Sequence, residues 1–132
     1  MSSISPKKKF GQNFLKNSET AFQIVNFLEL KNCKTILEIG PGMGALTKHI
    51  LNIDDFQKIF IEVDNECCNY LENTFPEIEG KIINIDFLKL FLNNTFPVSH
   101  DNFDTSFISF SVASNLEYLI LCFILSSNKD IS

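Results

Sequence analysis

A run of seven residues constrains this chain more than any other. Glu38-Ile39-Gly40-Pro41-Gly42-Met43-Gly44 sets glycines at alternate positions directly behind the apolar stretch Ile36-Leu37-Glu38-Ile39, and Ala45 to Leu51 then takes up helical spacing. Strand, glycine turn, helix is the order a βαβ unit needs. Such a turn lets the backbone approach a ligand closely, and the helix behind it offers free N–H groups. In dinucleotide enzymes the pattern is G-x-G-x-x-G and the glycines hold a pyrophosphate. Here the third glycine falls one position early, which weakens a dehydrogenase reading and suits a nucleoside ligand without phosphate. An ordinary tight βα turn is the alternative that the pattern alone leaves open.

The flanking sequence extends the same architecture. Ser18 reads as a helix N-cap with Glu19 in the first turn, and Ala21, Ile24, Val25 and Leu28 follow at the spacing of one buried helix face. Ile59 to Val63 reads as a second strand, Glu66 to Phe75 as a helix closed by Pro76, and Lys81 to Ile85 as a third strand. Strands separated by helices predict an α/β fold with a parallel, doubly wound sheet of Rossmann-like type. Phe107 to Val112 is a fourth candidate strand after a polar loop. All 5 glycines lie at or before Gly80, so the end of the chain reads as a truncated or divergent piece of a larger domain.

Two acids sharpen the ligand reading. Glu62 stands 22 residues after Gly40 at the end of the second strand, where a carboxylate can accept the protons of both ribose hydroxyls. Asp86, at the end of the third strand, can accept from an adenine exocyclic amine, or it can simply cap the helix that begins at Phe87. Asp64 competes with Glu62, but alternation along a strand points it elsewhere. Ligands of open α/β sheets bind outside the carboxyl ends of the strands, so the turn and the two acids converge on one crevice for an adenosine-bearing cofactor.

Charge has to be divided before it can be interpreted. The formal net charge of −5 argues against a nucleic-acid partner, yet Lys7, Lys8, Lys9 and Lys16 give residues 1–16 a charge of +4 with no acid among them. This predicts a basic arm over 1–17 ahead of a domain over 18–132, with Lys7, Lys8 and Lys9 as candidate RNA contacts; a solvated tail is the plainer reading of that run. Cys33, Cys67, Cys68 and Cys122 fit neither a C-x-x-C pair nor a zinc spacing, so free thiols in a reducing cytosol and no metal are expected. The first fifteen residues lack a secretory apolar core, and the late apolar run from Leu119 to Leu125 is too short for a bilayer, which takes about 20 residues. A cytoplasmic location without membrane attachment is the expectation.

Lys8-Lys9-Phe10-Gly11-Gln12-Asn13-Phe14-Leu15, the Glu38 to Gly44 turn, Glu62-Val63-Asp64 and Asp86-Phe87-Leu88 together closely resemble the ribosomal RNA adenine N6,N6-dimethyltransferases, the family linked to kasugamycin resistance in bacteria. The resemblance runs from about Lys7 to about Leu90. Its F-G-Q-N-F-L string is specific to that family, while the glycine turn is shared with most Rossmann-like methyltransferases. It implies an S-adenosylmethionine enzyme that twice methylates each of two adjacent adenines near the 3′ end of small-subunit rRNA, with that rRNA or a pre-30S-like particle as partner and a monomer as the working unit. By motif match, Asn13 and Leu15 line the methionine side of the cofactor and Gly40 lies against its amino-acid and ribose portion. Glu62 takes the ribose hydroxyls, Asp86 the adenine amine, and Gln12 sits beside the site.

The chain departs from the family at the catalytic motif. The family carries N-L-P-Y or a near variant, in which the Asn oxygen and a backbone carbonyl accept the protons of the adenine N6 amine and the Tyr ring stacks on the flipped base. Here the candidate is Asn115-Leu116-Glu117-Tyr118, with Glu in place of Pro. The resemblance assigns Asn115 to the target amine and to the cofactor, and Tyr118 to the base; a chance match in divergent or out-of-frame sequence is the alternative. The helical domain that follows in the family is expected to be absent. The second reading of function is therefore a catalytically inactive remnant that binds RNA or ribosome-assembly intermediates.

Overall fold

A computed structural model describes residues 4–7, 14–31, 34–92, 108–112 and 119–123. Helix α1 spans Ser18–Asn26 and is capped by Asn17, whose side chain accepts the Thr20 amide at 3.1 Å. This corrects the expectation of Ser18 as the cap. Asn17 has the extended backbone that lets a short side chain reach the third helical amide, while Ser18 Oγ accepts the Lys48 ammonium at 2.9 Å. Ala21, Val25 and Leu28 are buried as the periodicity predicts.

Strand β1, Thr35–Ile39, is buried along nearly its whole length, as a strand with cover on both faces must be. The chain then turns through 42–46 before a single helical turn, α2, Thr47–Ile50. The expected helix over 45–51 is therefore shorter, although the Lys48 amide already donates to Gly44 O and the Ile50 amide to Leu46 O. Strand β2, Gln57–Glu62, sinks from an exposed start to a buried end. Helix α3, Asn65–Thr74, is capped by Asp64 and buries Cys67, Cys68 and Leu71; a short 3-10 turn over Pro76–Ile78 follows. Strand β3 spans Ile82–Asn84 and helix α4 spans Phe87–Leu92.

β1, β2 and β3 pair in parallel, Leu37 opposite Ile59 and Ile61 opposite Ile83, which makes the α/β, Rossmann-like frame that the sequence predicts. Two later strands, β4 (Ile108–Val112) and β5 (Leu119–Phe123), complete a sheet of order β3-β2-β1-β5-β4. The fourth candidate strand is thus real, but it does not neighbour β1. β5 lies between them, antiparallel to both. The sequence patterns account for the order. Leu119 to Phe123 is continuously apolar and suits an interior strand, whereas Ile108-Ser109-Phe110-Ser111-Val112 alternates and suits an edge.

The core lies between the sheet and α1, α2 and α3, built on Ile36, Ile50, Phe60, Leu71 and Ile78. Among the described residues no helix is long and apolar enough to cross a membrane.

Candidate functional site

The carboxyl ends of β1, β2 and β3 carry the residues that the sequence singles out. Behind β1 the Gly40 amide donates to Ile61 O at 2.8 Å, extending the sheet by one bond before the chain leaves it. Gly40 has φ +69, and a β-carbon there would meet nothing within 4 Å among the described residues. Its positive φ excludes most side chains, while the space beside it is left for something other than the protein. Gly44 does the opposite: a β-carbon would stand 2.5 Å from Phe75 Cε2 and 3.1 Å from Leu71 Cδ2, so its bareness lets α3 pack onto the turn.

A cleft of about 360 Å³, open to solvent, lies along the turn. Phe14 and Leu15 of the arm wall it on one side; Glu38, Gly40, Pro41, Gly42 and Met43 line the other. The Phe14 ring lies against Gly42, with Cδ1 and Cε1 each 3.2 Å from where a β-carbon would stand. Leu15 and Gly40, both assigned to the cofactor from the sequence, thus meet in one cleft.

Glu62 reaches the same turn from the neighbouring strand without lining that cleft. Its side chain is buried, Oε2 accepts the Gly42 amide at 2.9 Å and Oε1 accepts the Asp64 amide at 2.9 Å. Its carbonyl accepts the Ile85 amide at 3.1 Å and Asn84 Nδ2 at 2.8 Å, with Cys68 Sγ 3.7 Å away. Asp64 caps α3 by accepting the Glu66 amide at 3.0 Å and pairs with Lys7. The expectation that alternation separates it from Glu62 is corrected: residues two apart share a face of a strand, and what turns Asp64 aside is that β2 ends at Glu62 and Asp64 starts α3 as its cap. Asp86 is half-buried ahead of α4, where its Oδ1 accepts the Leu88 amide at 3.0 Å. The capping role that the sequence left open for Asp86 is therefore present.

Three features escaped the sequence reading. Glu38 is buried inside β1 and accepts the Thr47 hydroxyl at 2.8 Å, tying strand to helix across the glycine turn. Burial pushes its carboxyl up to about 8; the Thr47 hydrogen bond opposes the shift and the Glu62 charge adds to it. An acid inside an apolar strand was the available signal, since such residues are rarely buried without a partner. Val63 and Ile85, next to Glu62 and Asp86, are each 36% exposed although apolar. Lys7 is the third: its Nζ lies 2.9 Å from Asp64 Oδ1 and 3.1 Å from Glu66 Oε2, an intramolecular pairing that a run of lysines gave no reason to expect.

Lys8, Lys9, Asn13, Asn115 and Tyr118 lie outside the described residues. The strand ends that flank positions 113–118 are fixed, however. Leu119 pairs with both Ile39 and Val112, so β4 ends and β5 begins level with the last residue of β1, one position before Gly40.

Residues 4–123 match the family described as Ribosomal RNA adenine dimethylase. The chain belongs to that family. Among curated relatives, it is 43% identical over 94 residues to Ribosomal RNA small subunit methyltransferase A of Parabacteroides distasonis, covering 71% of this chain and 35% of that protein. The protein of the same name from Flavobacterium johnsoniae is 42% identical over 96 residues, 73% of this chain and 36% of the relative. That of Bacteroides fragilis is 34% identical over 131 residues, 99% of this chain and 46% of the relative. The chain therefore spans between about a third and just under half the length of these curated relatives.

Proposed function

We propose that this chain is the cofactor-binding N-terminal portion of an S-adenosylmethionine-dependent rRNA adenine N6,N6-dimethyltransferase that acts on adjacent adenines near the 3′ end of small-subunit rRNA. The observation that carries the reading is the pairing of an open, positive-φ Gly40 at the end of β1 with the Glu62 carboxylate anchored in the same turn from β2.

The residues present fit the cofactor. No described residue stands within 4 Å of the position a Gly40 β-carbon would take, which leaves room for a ligand against the backbone. A carboxylate has about four acceptor positions. Glu62 uses two on amides, which leaves acceptor capacity for ribose hydroxyls. Asp86 caps α4 through Oδ1, and its other oxygen is assigned to the adenine amine. Exposed Val63 and Ile85 offer apolar surface for the adenine ring between them. Leu15 and Asn13 are assigned to the methionine end.

Bound S-adenosylmethionine supplies a methyl group on a sulfonium, so the protein has little acid–base work and mainly aligns the acceptor nitrogen and excludes water. Asn115, with the carbonyl of Leu116 or Glu117, orients the adenine amine, and Tyr118 holds the base. The register that brings both ends of segment 113–118 level with Ile39 supports this assignment. The working partner is small-subunit rRNA or its precursor particle, met by a monomer in the cytoplasm, with Lys8 and Lys9 on phosphate.

Calorimetry with S-adenosylmethionine tests the reading directly: the folded chain binds, and Glu62→Ala abolishes binding. Tritium transfer to unmethylated small-subunit rRNA tests catalysis. Salt-dependent RNA binding without transfer would favour the inactive remnant.

A further inference from the structure

A connected line of contacts runs through Glu62 and has both ends on the arm. Lys7 Nζ donates to Asp64 Oδ1 at 2.9 Å; the Asp64 amide donates to Glu62 Oε1 at 2.9 Å; the Gly42 amide donates to Glu62 Oε2 at 2.9 Å; and Gly42 lies under the Phe14 ring. Three carboxylates, on Glu62, Asp64 and Glu66, crowd the start of α3, and Lys7 touches two of them. The Asp64 side chain is 2% exposed and that of Lys7 29%, so solvent does not fully screen the pair.

We propose that Lys7 is a positioning residue: through Asp64 it fixes the orientation of the Glu62 carboxylate, and so couples the seating of the arm to capture of the adenosine-bearing cofactor. The role for the cofactor rests on the reading of Glu62 given under Proposed function; the coupling itself is a property of the chain. Without the ammonium, Asp64 holds a buried charge that has lost this partner, and it relaxes toward water or takes up a proton. Either response moves the Asp64 backbone, whose amide is one of the two donors that hold Glu62. The same contact neutralises Lys7, so of Lys7, Lys8 and Lys9 it is the one not assigned to phosphate.

Two measurements on the full chain separate the coupling from the cofactor reading. In hydrogen exchange without ligand, Lys7→Met speeds exchange of the Asp64 and Gly42 amides about tenfold while the core amide of Phe60 is unchanged. Lys7→Arg, which keeps the charge, stays near wild type. Equal acceleration at Phe60 would mark a plain structural ion pair and overturn the proposal, as would no change at Asp64 and Gly42. In calorimetry with S-adenosylmethionine, Lys7→Met weakens binding about tenfold, and Lys7→Met with Asp64→Asn weakens it no further. Unchanged affinity in Lys7→Met, together with a salt slope for RNA binding reduced by about 0.7–0.9, would return Lys7 to the RNA interface and overturn the proposal. A wild-type chain that fails to bind the cofactor defeats the functional reading alone, because the exchange result still decides the coupling.

Discussion

The Glu62 carboxylate accepts the Gly42 amide at 2.9 Å, joining the end of β2 to the turn that follows β1. The bond makes the glycine turn and the acid one unit. Glu62→Gln exchanges an acceptor for an NH2 donor, which then faces one of the two backbone amides, Gly42 or Asp64, without an acceptor. Chemical denaturation of this variant shows a loss of about 1–3 kcal/mol, the cost of an unsatisfied buried group. Its affinity for S-adenosylmethionine falls by at least about tenfold, since each 1.4 kcal/mol is a factor of ten.

The glycines of the turn separate stability from binding. At Gly44 a β-carbon meets Phe75 at 2.5 Å and φ is +81, so Gly44→Ala costs about 3 kcal/mol from overpacking and backbone strain together. Gly40→Ala meets no neighbour among the described residues and costs only about 1–2 kcal/mol for its positive φ, yet it puts a methyl group into the space assigned to the ligand. Thermal melts therefore rank Gly44→Ala as the less stable chain. Calorimetry on the folded Gly40→Ala chain shows the cofactor lost.

Glu38 gives the fold a pH dependence of defined sign. Its folded carboxyl sits at about 8 against an ordinary 4.5, chiefly through burial. Below pH 4.5 folded and unfolded chains both hold the proton; between 4.5 and about 8 only the folded chain does. Stability therefore falls as pH rises through that window, by at most about 1.4 kcal/mol per unit, and levels off above it. Urea titrations at pH 5, 6, 7 and 8 measure the slope, roughly as the linkage relation sets it. Glu38→Gln, which still accepts from Thr47, flattens it.

Cys67 and Cys68 should be inert. Burial and then the Glu62 charge push the first thiol up to about 12 and the second to about 11. The thiolate is the reactive species, so neither labels with a thiol–disulfide reagent at about pH 8 in the folded chain. Site-resolved mass spectrometry finds both modified only after denaturant is added.

Much of this was legible in the sequence because periodicity and glycine placement are local signals. The buried face of α1, the three parallel strands and the turn between Ile39 and Ala45 follow from spacing alone. What escaped depended on distant partners. No local pattern could say that Asn17 rather than Ser18 would reach Thr20, since both are good caps and the choice rests on where the arm enters. Nor could it say that Lys7 would meet Asp64, 57 positions away. β5 was visible only as an apolar run, because pairing direction and strand order depend on long-range closure. The anchoring of Glu62 is of the same kind: the sequence puts the acid at a strand end, but the Gly42 amide that holds it comes from 20 positions away.

β5 also has a colloidal consequence. It pairs with β1 along all five residues, from Thr35 opposite Phe123 to Ile39 opposite Leu119. Without it, β1 would present a bare row of N–H and C=O groups flanked by Ile36 and Leu37, which is a ready template for another chain. The antiparallel pair of β4 and β5 therefore covers that side of β1 and leaves the alternating, serine-bearing β4 as the outer strand there.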